Sequence, residues 1–209
     1  MNILNNYCFV YDLKKFFFII FFIFISYKTF FYKITILLSI ILIFIYYFYR
    51  IPPINPQMNN LFIHGPCYGI IKNIEKTNGF LHISIFIRLT DPHIQYIPYS
   101  GFLRNIFYIP GEFNPAYMIK KGKYNEKMIY HIETSKGTII VSQIAGVLAR
   151  SIIPFVKKNT IVKQNEELGL IKFGSRCDIF IPLSNPLKIL VRNGDIVKGS
   201  YTQLVRFLN

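Results

Sequence analysis

Tryptophan is absent from the 209 residues, and cysteine, histidine and acidic side chains are scarce: three Cys, four His and ten Asp or Glu against 24 Lys or Arg. Cys8, Cys67 and Cys177 are odd in number and lack C-x-x-C spacing, which argues against a disulfide framework and a zinc site and suits a reducing compartment. The shortage of acids leaves a net charge of +14, and residues 51–209 alone hold 19 bases against 9 acids. Such a chain is drawn to anionic surfaces, whether nucleic acid or anionic lipid. Long basic blocks are missing too. Only pairs such as Lys120-Lys121 and Lys157-Lys158 occur, so no nucleic-acid partner is expected.

Apolar side chains are plentiful, at 52% of the sequence with 21 Phe and 15 Tyr. Much of the excess lies in residues 1–50, where Phe16 to Tyr49 is broken only around Ser26 to Thr29 and Tyr32-Lys33. As one helix this stretch would run ~51 Å, against a hydrocarbon core of ~30 Å. Two spans joined by a tight turn near Lys28 to Lys33 fit better, with flanking Tyr and Lys at the interface. The expectation is an N-terminal transmembrane helical hairpin over about residues 16–49. Lys14, Lys15 and Arg50 at one end outnumber Lys28 and Lys33 at the other, which favours the cytoplasmic side for the domain that follows. The apolar region is too long for a signal peptide and has no small-residue cleavage site, so it is expected to be retained.

Ile51-Pro-Pro-Ile-Asn-Pro56 is a stiff extended exit and marks a boundary between an anchor, residues 1–50, and a domain, residues 51–209. Beyond it the sequence is a series of short β-type runs: Tyr68 to Ile74, Phe80 to Leu89, Phe102 to Ile109, Met128 to Glu133 and Thr138 to Ile144. Gly146 to Phe155 is open between helix and strand. Phe155 to Gln164 and Leu190 to Gly199 share a spacing of Val, a turn residue and a second Val, as in the turns of small barrel-sandwich carrier domains. The expected fold is mainly β, of barrel-sandwich-hybrid type. A carrier function is not expected, because no Lys occupies the exposed hairpin position.

Within this β region, Leu168-Gly-Leu-Ile-Lys-Phe-Gly-Ser-Arg-Cys-Asp-Ile-Phe-Ile-Pro182 places Gly174-Ser175 between two strand-forming runs. By itself the pair reads as a bend. The run closely resembles the self-cleavage segment of phosphatidylserine decarboxylase proenzymes of the short, membrane-anchored subfamily, whose pattern is close to G-L-I-R-F-G-S-R-V-D-x-x-x-P. Further blocks follow the family's order. Phe48-Tyr-Arg-Ile-Pro52 resembles F-F-R-x-P, and Gly65-Pro-Cys-Tyr-Gly69 lies where members have S-P-A-D-G. Asp91-Pro-His93-Ile-Gln-Tyr-Ile-Pro98-Tyr-Ser-Gly101 resembles N-V-H-V-N-R-x-P-x-x-G, and Tyr108-Ile-Pro-Gly-Glu-Phe-Asn-Pro-Ala116 resembles Y-x-P-G-K-F-x-N-A. Asn125-Glu126-Lys127 matches N-E-R, and Ser142-Gln-Ile-Ala-Gly146-Val-Leu-Ala-Arg150 matches V-Q-I-A-G-x-x-A-R.

The resemblance implies a definite chemistry. The Ser175 hydroxyl attacks the carbonyl of Gly174, an ester replaces the peptide bond, and elimination followed by hydrolysis turns residue 175 into a pyruvoyl group with loss of ammonia. The chain would then be a β chain of residues 1–174 and an α chain of residues 175–209. The ketone forms a Schiff base with the amine of phosphatidylserine and accepts electrons as CO2 leaves, giving phosphatidylethanolamine without an added cofactor or a metal. His93 is implied as a base or proton donor, and the base that activates Ser175 is to come from His93, Asp178 or Asp91. Arg176 and Arg150 suit a lipid phosphate through their planar guanidinium groups. His64, His82 and His131 match no motif, and Cys67 and Cys177 read as small buried fillers. Two positions depart from the family: Tyr68 replaces the Asp of P-x-D-G, and Tyr96 replaces an Arg. A homologue that does not cleave and serves as a lipid-binding or scaffold protein is the alternative, and homo-oligomerisation is left open.

Overall fold

The computed structural model describes residues 17–25, 32–54, 56–147, 151–171 and 175–208. The chain divides into two compact units, residues 1–50 and 51–209. In the first, residues 17–25 are helical (α1), and Tyr32–Phe48 forms α2. Helix α2 is apolar on every side, with Ile34, Ile36, Leu37, Ile40, Ile43 and Phe44 all exposed, a pattern suited to apolar surroundings. Its 17 residues span ~25 Å, short of a ~30 Å hydrocarbon core. Among the described residues no helix is long and apolar enough to cross a membrane, and the expected turn, at Lys28, lies outside them. The transmembrane hairpin therefore stays an expectation.

The second unit is mainly β. Eight strands form one antiparallel sheet in the order β13 (Ile196–Val197), β2 (Gly69–Thr77), β3 (Phe80–Ile87), β11 (Ser175–Pro182), β7 (Gly137–Ile144), β6 (Lys127–Thr134), β5 (Gly101–Ile109) and β9 (Thr160–Val162). A three-stranded sheet joins β1 (Phe62–His64), β14 (Gln203–Phe207) and β12 (Leu187–Ile189); another joins β4 (Ile94–Tyr96), β10 (Glu167–Ile171) and β8 (Ile152–Pro154). The expected runs appear as β2, β3, β5, β6 and β7, and the undecided stretch contributes β8. Period-two patterning places Ile83, Ile85, Val141, Ile179 and Ile181 on the inner face, all fully buried. Each such side chain contributes roughly 1.5–3 kcal/mol.

The repeated pattern noticed in the sequence has a structural counterpart. Asn159 and Gly194 occupy the same place in the two copies and both have positive φ, 62° and 93°, a conformation suited to Asn and Gly. The Asn159 amide donates to Leu103 O at 2.7 Å and the Gly194 amide to Ile71 O at 2.8 Å. Both acceptors lie at register shifts in their strands. Each turn then delivers a short strand, β9 or β13, to one of the two edges of the large sheet. The two copies thus close the sheet at opposite sides.

Candidate active site

Residues 172–174 lie outside the described residues, and the strands on either side of them are described. Strand β10 ends at Ile171 in a three-stranded sheet, and β11 begins at Ser175 in the eight-stranded one. Strands β10 and β11 therefore belong to different sheets and do not pair as a hairpin. Ser175 pairs with Ile87 of β3, and from Arg176 to Phe180 β11 is bonded on both sides, to β3 and β7. The strand cannot tilt without breaking two ladders. Ser175 is fully buried, and its hydroxyl has no hydrogen-bond partner among the described residues.

His93 is tied by its main chain to the end of β10, the strand that precedes Ser175. Ile171 N donates to His93 O at 3.2 Å, four residues before Ser175, and residues 88–93 follow directly from Ile87, the register partner of Ser175. His93 is fully buried and its Nδ1 lies 2.7 Å from Asp91 O. A carbonyl only accepts, so Nδ1 is the donor in this bond. Gln95 Nε2 donates to His93 O at 2.8 Å, Gln143 Nε2 donates to Gln95 Oε1 at 2.5 Å, and the Tyr130 hydroxyl donates to Gln143 Oε1. This buried relay fastens the His93 backbone to β6 and β7. Burial raises the Tyr130 phenol pKa far above its ordinary value, which keeps it a donor. Sequence reasoning missed the relay; Gln143 within the Ser142 to Arg150 block was the available signal.

Asp91 and Asp178, both expected as candidate bases, are committed elsewhere. The Asp91 carboxylate accepts three bonds from Arg88, from its backbone N at 3.0 Å, Nε at 2.9 Å and Nη2 at 2.8 Å. The Asp91 main-chain carbonyl meets His93 Nδ1. Asp178 lies three positions beyond Ser175 and so on the opposite face of β11. There Asp178 Oδ1 is 3.0 Å from Arg176 Nε and Oδ2 is 3.3 Å from His82 Nε2, ion-pair distances without hydrogen-bond alignment. His82 Nδ1 is 3.0 Å from Glu75 Oε1, and its ring stacks on Phe180 at 4.4 Å. Burial pushes the His82 pKa down, but the Asp178 and Glu75 carboxylates outweigh it and the net shift is upward. The structure thus makes His82, set aside in the sequence, the centre of a charged cluster.

Arg176 is only 3% exposed; besides Asp178 it donates from Nη1 to Ala116 O at 3.3 Å. Its guanidinium faces the protein, not a solvent-borne phosphate. Arg150 lies outside the described residues. Tyr68 and Tyr96 meet edge to face, with ring centroids 6.4 Å apart. A Cβ on Gly199 would stand 2.9 Å from Tyr96 and 3.0 Å from Tyr68, so glycine is what admits both rings. Burial, followed by the Tyr68 phenol, raises the Tyr96 pKa far above its ordinary value, and the Tyr96 hydroxyl has no partner among the described residues. Cys67 and Cys177 are both buried, as expected, and touch; burial and then Cys177 raise the Cys67 thiol pKa. Among the described residues no group of three His, Cys, Asp or Glu is placed to hold a metal ion.

Comparison with known proteins gives one consistent result. The family profile described as phosphatidylserine decarboxylase matches residues 44–204. A protein of Ehrlichia ruminantium named phosphatidylserine decarboxylase proenzyme is 39% identical over 168 residues, 76% of this chain and 73% of that one. One of the same name from Syntrophus aciditrophicus is 34% identical over 175 residues, 79% of this chain and 80% of the other. A third, from Streptomyces griseus, is 34% identical over 143 residues, 68% of this chain, and the matched part spans 65% of that relative's length. With the profile covering both the His93 region and the head of β11, the chain belongs to the phosphatidylserine decarboxylase family.

Proposed function

We propose that the chain is a proenzyme that cuts itself between Gly174 and Ser175 and then decarboxylates phosphatidylserine to phosphatidylethanolamine and CO2. The observation that carries this is the state of Ser175: a buried hydroxyl, without a hydrogen-bond partner among the described residues, at the head of a doubly paired strand. Ordinary buried hydroxyls are bonded. A pyruvoyl group made from Ser175 fits this place, since the hydroxyl it replaces has no such bond to lose. That group supplies a carbonyl able to accept the electrons released with CO2.

The protein's own residues do the rest. The Ser175 hydroxyl attacks the Gly174 carbonyl and its proton passes to His93 Nε2, the basic nitrogen of the neutral ring when Nδ1 donates to the Asp91 carbonyl. The same imidazole later returns a proton to the carbon that has lost CO2. The Gln95–Gln143–Tyr130 relay holds the His93 main chain in register with β10. Arg150 is the proposed partner of the lipid phosphate. Residues 16–49 form the membrane hairpin and the β domain, of barrel-sandwich-hybrid type, lies on the cytoplasmic side. Apolar α2, the two edge turns at Asn159 and Gly194, and the Lys and Arg count around the hairpin support these assignments.

A non-cleaving lipid-binding homologue is the second reading, favoured by Tyr68 and Tyr96, which put a phenol pair where members carry Asp and Arg. Denaturing electrophoresis and intact mass separate the two. The decarboxylase reading predicts a fragment of 35 residues, 175–209, with an N-terminal pyruvoyl group, and its loss together with CO2 release from phosphatidylserine in Ser175→Ala. A chain that stays whole under all conditions would sink it.

A further inference from the structure

One row of paired residues crosses the large sheet at the Ser175 end. Ile196 pairs with Ile70, Ile70 with Phe86, Phe86 with Arg176, Arg176 with Ile144, Ile144 with Lys127, and Lys127 with Ile109. The last residue of β5 and the head of β11 therefore share one end of the sheet. At that end β5 outruns its neighbour: β9 pairs only with Gly101 to Leu103, so from Arg104 to Ile109 the outer edge carries no strand among the described residues. Phe107, Tyr108 and Ile109 are consecutive and all exposed. A half-buried strand would alternate, and an apolar open edge is normally blunted or covered.

Residues 110–126 continue the apolar surface. This excursion is folded back on itself: Glu112 N donates to Tyr124 O at 2.9 Å, Glu126 N to Glu112 O at 3.0 Å, and Asn125 Nδ2 to both Asn114 O and Ala145 O at 2.7 Å. The Asn125 and Glu126 side chains are buried and Ala116 O meets Arg176, while Tyr117, Met118 and Tyr124 are exposed. The six side chains from Phe107 to Tyr124 named here are 40–59% exposed. Among them stand exposed Lys121 and Lys123, the latter with its ammonium 4.8 Å from the Tyr124 ring centre. Of the acids nearby, Glu126 is buried, and Glu112 is exposed with a bond from Asn114 Nδ2.

We propose that the projecting end of β5 and the 110–126 excursion form a docking surface for an anionic phospholipid bilayer, holding the Ser175 end of the sheet against it. Tyr, Lys and aliphatic side chains together suit the headgroup boundary, where rings and ammonium groups lie at the polar layer and Ile, Phe and Met below it. A second copy is the poorer occupant, because a symmetric contact would bring two sets of Lys121 and Lys123 into one interface, whereas an anionic surface complements them. The proposal deepens the function proposed above and rests on that reading for its choice of lipid. It names the face through which a membrane substrate reaches the site.

The absence of Trp makes the test direct. Phe107→Trp and Tyr124→Trp each give the full chain a single Trp, and Ile161→Trp is the control. Ile161 is 79% exposed and pairs with Phe102, about seven residues or ~20 Å along β5 from Ile109. Each full-length variant is reconstituted into phosphatidylcholine–phosphatidylserine vesicles with plain or brominated acyl chains. Docking predicts blue-shifted emission and at least about twofold bromine quenching at 107 and 124, none at 161, and weaker quenching when Lys121→Glu and Lys123→Glu are added. Emission at 107 and 124 as solvated as at 161 overturns the proposal. A blue shift without bromine quenching overturns it in favour of a second copy. Release of the 175–209 fragment is scored on the same samples. Quenched but uncleaved protein counts against the decarboxylase alone, and cleaved but unquenched protein against the docking surface alone.

Discussion

Ser175 and Asp178 stand on opposite faces of β11, the first against the apolar core and the second 3.3 Å from His82. Their separation of three in a period-two strand makes direct proton transfer between them geometrically unavailable. His93 is the remaining candidate of the three bases named from the sequence, since the Asp91 carboxylate is held by Arg88.

The two assignments are separable by substitution. His93→Ala is expected to slow release of the 175–209 fragment by about 10²–10⁴-fold, the range for loss of a general base. Asp178→Asn should leave the cleavage rate within about threefold while lowering stability by roughly 2–4 kcal/mol, because Arg176 and His82 lose a buried counter-charge. Fragment appearance followed by mass spectrometry, alongside a denaturant titration, reads both.

The Glu75–His82–Asp178 cluster makes stability depend on pH. The folded His82 pKa is raised above its ordinary 6.5, so its contribution is fully present below about pH 6.5 and is lost as pH rises through the folded value. The Glu75 pKa is lowered, first by His82 and then by Asn73, so its smaller, solvent-screened contribution is present above its unfolded value near 4.5 and fades as pH falls through the folded one. The difference in Tm between the native chain and His82→Phe should therefore be largest near pH 5–6 and shrink steadily toward pH 9. A difference that grows with pH would contradict the cluster.

Gln143→Leu removes the centre of the relay and strands the Tyr130 hydroxyl and the Gln95 carbonyl oxygen in the core. Each orphan costs about 1–3 kcal/mol, so a loss of roughly 2–5 kcal/mol is expected in urea unfolding. The chemical midpoint should fall with little change in the slope.

Tyr96→Phe makes the opposite prediction. The Tyr96 hydroxyl is buried without a partner among the described residues, so its removal should be neutral or stabilising by up to about 1–2 kcal/mol. Gly199→Ala should destabilise by roughly 1–3 kcal/mol, since its Cβ meets both rings. Thermal melts of the two variants give the signs. If Tyr96→Phe also stopped fragment release, the phenol and not His93 would be the group that activates Ser175.

That residues 51–209 are mainly β was legible along the chain, because alternation of apolar side chains is a local property that each strand states for itself. The sequence also determined the family, through ordered blocks around His93 and Gly174-Ser175, and it marked the two turns that close the large sheet. The opposite-facing of Ser175 and Asp178 was legible in the same alternation once the strand was granted. Only the tertiary structure decided which distant side chains meet: Tyr68 with Tyr96, Gln95 with Gln143, His82 with Asp178, and Arg176 with the Ala116 carbonyl. These pairings depend on the register between strands far apart in sequence, and register is set by the packing of the whole core, which no single stretch of residues contains.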